Sequence, residues 1–369
     1  MNDSLFSGGH GAELTIDLSA LAANWQLLND RAGPAECAGV VKADAYGIGI
    51  EKAVPTLIKA GCRTFFVAHL SEGRRLRAVA PDVTLYILNG FPPGQARAYR
   101  DIDARPVLGS LEELAEWRQA GDGRAFALHV DTGLNRLGLT IAEFEQFVAG
   151  GFSNAFRPSL VLSHFVSSEE PADTITERQA AAFAKISAAL PGVDASLCNS
   201  SAFFLPEPPR YQLMRPGYAL YGGNPTPGKS NPMNAVVRLE AEIMQVRRVQ
   251  AGDTVGYNTK WTAKRDTTIA TISLGYADGW FRSHSCTDEK PGGIALIHGQ
   301  PCPIAGRVSM DLITLDVTDL SNGTVKRGDK AVLIGDGLGC DEVAARAGTN
   351  GYEVLTDLGR RYNRSYIGS

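Results

Sequence analysis

Apolar residues in the first two-thirds of the chain fall in short runs. Each run is followed by a glycine-containing turn and then by a stretch with one apolar face. The runs at 37–41, 64–67, 83–88, 104–108, 126–130, 160–162, 195–198 and 212–214 read as buried strands, being short, bulky and bounded by turn formers. Between them, 51–60, 111–120 and 175–190 carry apolar residues at helical spacing. An earlier run at 14–18 reads as a further strand, after which Ser19 is placed to cap a helix through Leu28. Eight strands in series with helical crossovers predict a closed (β/α)8 barrel of the TIM type rather than an open sheet. The pattern changes at 224–232, a connector rich in Asn, Pro and Gly. Beyond it, β-branched runs at 236–249, 267–272, 294–297, 313–317 and 331–334 leave room only for short helices at 340–347 and 352–359. The fold class predicted is therefore α/β: an N-terminal barrel domain over residues 12–230 and a C-terminal, mostly-β domain over 231–369.

Composition narrows the function classes. Hydrophobic residues make up 44% of the 369 and charged residues 21%, which suits a globular protein with a sizeable core. A net charge of -4 offers no basic field for nucleic acid or an anionic membrane, and no apolar run reaches the length of a membrane span. The six cysteines are scattered without a C-x-x-C pair, against a zinc site or disulfide framework and for a reducing compartment. Residues 1–11 are polar and glycine-rich, without the apolar core of a signal peptide. A cytoplasmic protein without a metal site is expected.

A barrel gathers the candidate chemistry at the carboxyl ends of its strands. Lys42, in Val40-Val41-Lys42-Ala43-Asp44-Ala45-Tyr46-Gly47-Ile48-Gly49, ends the first barrel strand. Asp131-Thr132-Gly133-Leu134-Asn135-Arg136-Leu137-Gly138 follows the fifth, and His164 ends the sixth. Asn199-Ser200-Ser201-Ala202 follows the seventh and Arg215-Pro216-Gly217-Tyr218 the eighth. Asn and Ser side chains, with the bare amides that Gly217 permits, suit a phosphate. An amine beside a phosphate cradle suggests pyridoxal 5'-phosphate held as a Schiff base, with Arg215 a candidate partner for the ring nitrogen. On these residues alone a sugar-phosphate aldolase, which also uses a barrel lysine imine, stays open.

The motif around Lys42 resembles the pyridoxal-lysine signature of the alanine racemases. Asp131 to Gly138, Met214-Arg215-Pro216-Gly217 through Leu220-Tyr221-Gly222, Gly275-Tyr276-Ala277-Asp278-Gly279, Gly306-Arg307-Val308-Ser309-Met310-Asp311 and Gly351-Tyr352-Glu353-Val354-Leu355 resemble the family's other motifs in the same order. The resemblance runs from about Leu14 to the carboxyl end. It implies a racemase interconverting L- and D-alanine by a two-base mechanism, for peptidoglycan synthesis or alanine catabolism. It also implies a homodimer with shared active sites. A racemase of another small amino acid such as serine, and a fold-related pyridoxal decarboxylase, are the alternatives.

The resemblance assigns roles residue by residue. Lys42 would carry the cofactor and act as the base for the D-isomer, and Tyr276 of the partner subunit would be the base on the opposite face. Arg215 would bond the pyridine nitrogen, and His164 would bridge Arg215 and Tyr276. Tyr46, Asn199, Ser200, Gly217, Tyr218 and Tyr352 would surround the phosphate. Arg136 and Met310 would receive the substrate. Asp278, Arg307 and Asp311 read as structural ion-pair partners. Many relatives carry a carbamylated lysine where this chain has His129, so the anion expected to orient Arg136 is missing. Ser309 stands where a cysteine is common.

Overall fold

The computed structural model describes residues 11–150, 156–170, 173–320 and 323–368. The chain forms two compact units, Leu21–Asn234 and the remainder from both ends, divided at Ala20 and Ala235. The first strand, β1 (Glu13–Asp17), belongs to the second of these.

In the Leu21–Asn234 unit the expected barrel strands are all present. They are β2 (Glu36–Cys37), β3 (Gly39–Val40), β4 (Thr64–Val67), β5 (Thr84–Ile87), β6 (Arg105–Leu108), β7 (Ala127–His129), β8 (Leu160–Leu162), β9 (Asp194–Ser196) and β10 (Leu213–Met214). Strands β3 to β9 pair in parallel in sequence order. Their side chains are buried nearly throughout, as a parallel sheet covered by crossover helices requires. The run predicted at 37–41 is split because it changes partner. β2 pairs with β10 (Leu213↔Glu36), whereas β3 pairs with β4 (Val40↔Phe66). Between them the Ala38 amide donates to Met214 O at 3.0 Å, and the Arg215 amide reaches Cys198 O at 2.9 Å. These bonds close the ring.

Crossover helices start where polar caps sit. Ser110 accepts from the Glu113 amide to open Leu111–Ala120, and Thr140 accepts from the Glu143 amide to open Ile141–Ala149. The first helix, Leu18–Ala32, corrects the expected cap: Asp17, not Ser19, accepts the Ala20 amide at 3.0 Å. The Ser19 hydroxyl is itself bonded to Asp17 Oδ1. The stronger acceptor takes the position.

The other unit is a sheet built on β11 (Val237–Val249), followed by β12 (Thr267–Ile272), β13 (Ile294–Ile297), β14 (Gln300–Pro303), β15 (Ile313–Asp316), β16 (Lys330–Ile334) and β17 (Asn363–Ile367). β11 pairs antiparallel with β1, β12 and β16, and β1 pairs in parallel with β17. Residues 12–20, which the 12–230 boundary gave to the barrel domain, therefore fall in the strand-rich unit. The reason is long-range: Leu14 and Ile16 are fully buried, and β1 pairs with strands that follow the barrel in sequence. A local pattern can show that 14–18 is a strand but not whom it joins. Val255, Ile269 and Ala305, with Val249 and Trp261 against them, form a core cluster beneath this sheet.

Candidate active site

Lys42 follows β3 directly, and the chain then does something unusual. Ala43, Asp44, Ala45 and Tyr46 have φ of 53, 57, 53 and 50°, and Gly47 follows at 83°. This is a full left-handed turn made mostly without glycine, at a cost of roughly 1–2 kcal/mol for each such residue. The turn closes through Ala45 N to Val41 O (3.0 Å) and Gly47 N to Ala43 O (2.9 Å). Burial, with the cationic Arg136 adding to it, lowers the pKa of the Lys42 amine, while Glu72 opposes the shift. An amine so placed is a better nucleophile near neutral pH than an exposed lysine.

The turn delivers Tyr46 to the loop after β10. Tyr46 stacks on Tyr221 with ring centroids 4.6 Å apart, and the Tyr221 hydroxyl donates to Val40 O at 3.0 Å. A Cβ added at Gly217 would lie 2.4 Å from Tyr46 Oη, so only glycine fits there. Ser200 is buried, and its Oγ accepts the amides of Gly217 (3.0 Å) and Ala219 (3.2 Å). Tyr218, the next residue predicted for this cradle, is buried. Asn199 does something different from its neighbours. Its carbonyl oxygen accepts the Ala202 amide and the Ser168 hydroxyl, so it shapes the loop.

Arg215 lies in the barrel interior. Its guanidinium donates to Ser196 Oγ and, at 2.6 Å, to Ser163 O, and its carbon stands 6.0 Å from the centre of the Phe66 ring. Burial pushes its pKa down to about 10, with only the Cys198 thiol acting the other way. A buried guanidinium without a carboxylate among the described residues is a donor waiting for a neutral acceptor.

Two histidines share this mouth. Burial, with Arg215, Lys42 and Arg136 adding their charges, pushes the His164 pKa down to about 3. Burial and the charges of Arg215 and Arg136 push His129 to about 4, against a weaker pull from Asp131. Both rings are neutral at physiological pH. Lys42, Arg136 and Arg215 thus all disfavour a positive charge on His164. Asp131 organises the loop carrying Arg136, accepting the amides of Gly133, Leu134 and Asn135 at 2.7–2.9 Å. Arg136 itself is exposed.

The structure adds a residue that the sequence did not mark. Gln179, wholly buried on helix Thr174–Ala188, donates to Thr132 Oγ1 (3.1 Å) and His164 O (2.9 Å) and accepts the Val166 amide (2.9 Å). Thr132 also contacts Ser163 Oγ at 2.8 Å. One amide thus joins the Arg136 loop to the end of β8. A buried glutamine inside an amphipathic helix was the only signal available.

In the strand-rich unit, Tyr276 opens a short 3-10 turn, Tyr276–Asp278, and is 41% exposed. Its amide donates to Ser309 O (3.0 Å) and the Ala277 amide to Met310 O (2.9 Å), so the two predicted site segments lie side by side. A Cβ on Gly275 would meet Met310 O at 2.3 Å, which explains the glycine. Asp278 caps the turn through the Gly275 amide, and Arg361 joins Asp278 (3.1 Å) to Asp311 (2.9 Å). Asp278 and Asp311 are the ion-pair partners expected of them. Tyr352, on helix Gly351–Thr356, is also part of this unit and half-exposed.

A lysine, a Ser–Gly cradle suited to an anion and an interior arginine without a carboxylate partner among the described residues, at the carboxyl end of a parallel barrel, define a barrel enzyme of the lysine–cofactor class. The comparisons make this specific. Residues 16–225 match the alanine racemase N-terminal domain and 236–366 the C-terminal domain. An alanine racemase of Methylobacterium nodulans is 57% identical over 365 residues, covering 98% of this chain and 97% of that one. The crystal structure of alanine racemase from Bartonella henselae with covalently bound pyridoxal phosphate superposes with a TM-score of 0.91 at 38% identity, covering 97% of this chain and all of that one. The biosynthetic enzyme of Pseudomonas aeruginosa gives the same TM-score at 31% identity over 97% of this chain and all of its own. The chain belongs to the alanine racemase family.

Proposed function

We propose that this protein interconverts L- and D-alanine, using pyridoxal 5'-phosphate bonded to Lys42 and two bases on opposite faces of the substrate. The observation that carries the reading is that the turn after Lys42 brings Tyr46 Oη against Gly217, in the loop that Arg215 opens and whose amides Ser200 Oγ accepts. The residues present fit the cofactor. Gly217 leaves room that a Cβ would fill, Ser200 is free to donate its hydroxyl proton, and Arg215 offers donors to a ring nitrogen. When bound, the cofactor supplies the electron sink that makes the alanine α-proton removable.

The chain's own residues do the rest. Lys42, with its lowered pKa, takes or returns the α-proton on one face. Tyr276 of the partner subunit does so on the other. Arg215 stays protonated with a pKa of about 10 and cannot give its proton to the ring, which weakens the sink and limits side reactions. Tyr46 and Tyr218 close around the phosphate. Arg136, with Met310 of the partner subunit, receives the substrate carboxylate. His164 relays between Arg215 and Tyr276 as a neutral ring.

The working form we propose is a homodimer with two shared sites. Tyr276, Met310, Leu312 and Tyr352 are all at least 41% exposed on the strand-rich unit, more apolar surface than isolated residues account for. No helix among the described residues is long and apolar enough to cross a membrane. Its cysteines are all free, in keeping with a cytoplasmic enzyme. Borohydride reduction of the loaded enzyme and peptide mapping should place the pyridoxyl group on Lys42. Label on Lys52 or any other lysine would overturn the assignment. Incubation with L-alanine in heavy water should exchange the α-proton and release no carbon dioxide.

A further inference from the structure

Four residues in succession after Lys42 hold a conformation that L side chains avoid, and such a conformation persists only where the surroundings hold it. Besides the stacking of Tyr46 on Tyr221, a set of outside contacts meets at Asp44. Its amide donates to Glu72 Oε1 at 3.2 Å, and its carboxylate accepts Arg75 Nη2 at 2.5 Å and the Ile50 amide at 3.1 Å. Arg75 is fixed in turn by Glu51, through Nε and Nη2, both at 2.7 Å. The other Glu72 oxygen accepts the amides of Ala68 (2.9 Å) and His69 (3.1 Å), which anchors the carboxylate at the start of helix Leu70–Val79.

We propose that Glu72 and Arg75 are positioning residues, which hold the left-handed turn and through it keep the Lys42 amine at the barrel mouth. The two lie three apart on one helix and so share a face. One grips the backbone of Asp44 and the other its side chain. The ion pairs are partly exposed, with Arg75, Asp44 and Glu51 side chains at 38, 35 and 48%, so as a general staple they would add little. Their value lies in selecting between two conformations of one short turn. This proposal rests on the reading of Lys42 as the cofactor lysine, but its subject is the turn.

The test uses the cofactor-free enzyme and glycine as the probe of strain. Ala43 is exposed, and glycine takes positive φ there without penalty or loss of a buried methyl. Lys42 is labelled with an amine-directed reagent across a pH series, and mass spectrometry gives its labelling midpoint, which separates proton affinity from access. Removing a cation by itself raises the pKa of a nearby amine, whereas Ala43→Gly changes no charge, so the rescue by glycine is what reports geometry. In Arg75→Ala the midpoint should rise toward that of a lysine peptide as the amine leaves its pocket. Adding Ala43→Gly should bring it back. A purely structural ion pair would show no such rescue. If folded Arg75→Ala keeps the wild-type midpoint, or the glycine fails to restore it, the proposal is wrong. Should Arg75→Ala not fold, Arg75→Lys, which keeps the charge without the fork, gives the same comparison. Peptide mapping of the reduced, loaded wild type reads the Lys42 assignment separately, so the two ideas fail by different results.

Discussion

His164 stands neutral beside three cations and His129 beside two, and this makes the pair sensitive to pH. Unfolded, each imidazole titrates near about 6.5. Folded, His129 stays neutral down to about 4 and His164 to about 3. Between these values the unfolded chain binds more protons, so stability is undiminished above about pH 6.5 and falls as the pH drops. The share of His129 is on the order of 3 kcal/mol, and below its folded value the loss stops growing. Urea titrations should therefore show a shallower decline between pH 6.5 and 4 in His129→Asn than in the wild type, and parallel curves would refute the assignment. With no lysine at position 129 to carbamylate, activity should also be indifferent to bicarbonate. At Tyr276 the prediction is directional. Tyr276→Phe should abolish solvent exchange of L-alanine while exchange of D-alanine through Lys42 survives, and equal loss of both would favour one base.

Elements matter here through what pins their ends. Helix Thr174–Ala188 reaches the site through Gln179, whose amide serves the Thr132 loop and the end of β8. Gln179→Leu keeps much of the volume but leaves the Val166 amide and the His164 carbonyl without these partners. It should cost roughly 1–3 kcal/mol in denaturant unfolding. Because the loop it holds carries Arg136, KM for alanine should rise more than kcat falls. A loss of stability with both constants unchanged would show that the network serves the fold only. In the strand-rich unit, Arg361 joins the Asp278 turn to Asp311. Arg361→Ala should loosen the Tyr276 and Met310 segments together, seen as faster amide exchange at Tyr276 and Ala277, whose amides bond that second segment.

At the scale of the molecule, the two proposed bases belong to different compact units: Lys42 to Leu21–Asn234 and Tyr276 to the strand-rich remainder. If sites are completed between subunits, inactive Lys42→Ala and Tyr276→Phe chains should regain activity on mixing, since a hybrid dimer has one site with neither substitution. Sedimentation should show the dimer, and dead mixtures with proven subunit exchange would exclude shared sites.

The sequence by itself determined the barrel and the inventory of its mouth. Buried parallel strands are continuous apolar runs, and turn formers mark their ends, so Lys42, His164 and Arg215 could be set at strand termini from local pattern alone. The order of motifs carried the family. Tertiary structure decided what depends on partners far apart in the chain. β1 reads as a strand locally, but its place is fixed by β11 and β17, more than 200 residues away. β14 (Gln300–Pro303) holds two prolines and β17 (Asn363–Ile367) is largely polar and exposed, so neither shows an apolar run. The left-handed turn is written in non-glycine residues, whose local preference is right-handed, and the side chains that grip Asp44, those of Glu72 and Arg75, come from across the next crossover. Gln179 is silent for the same reason: a polar residue on a helix looks solvent-facing until the loops it joins are folded over it.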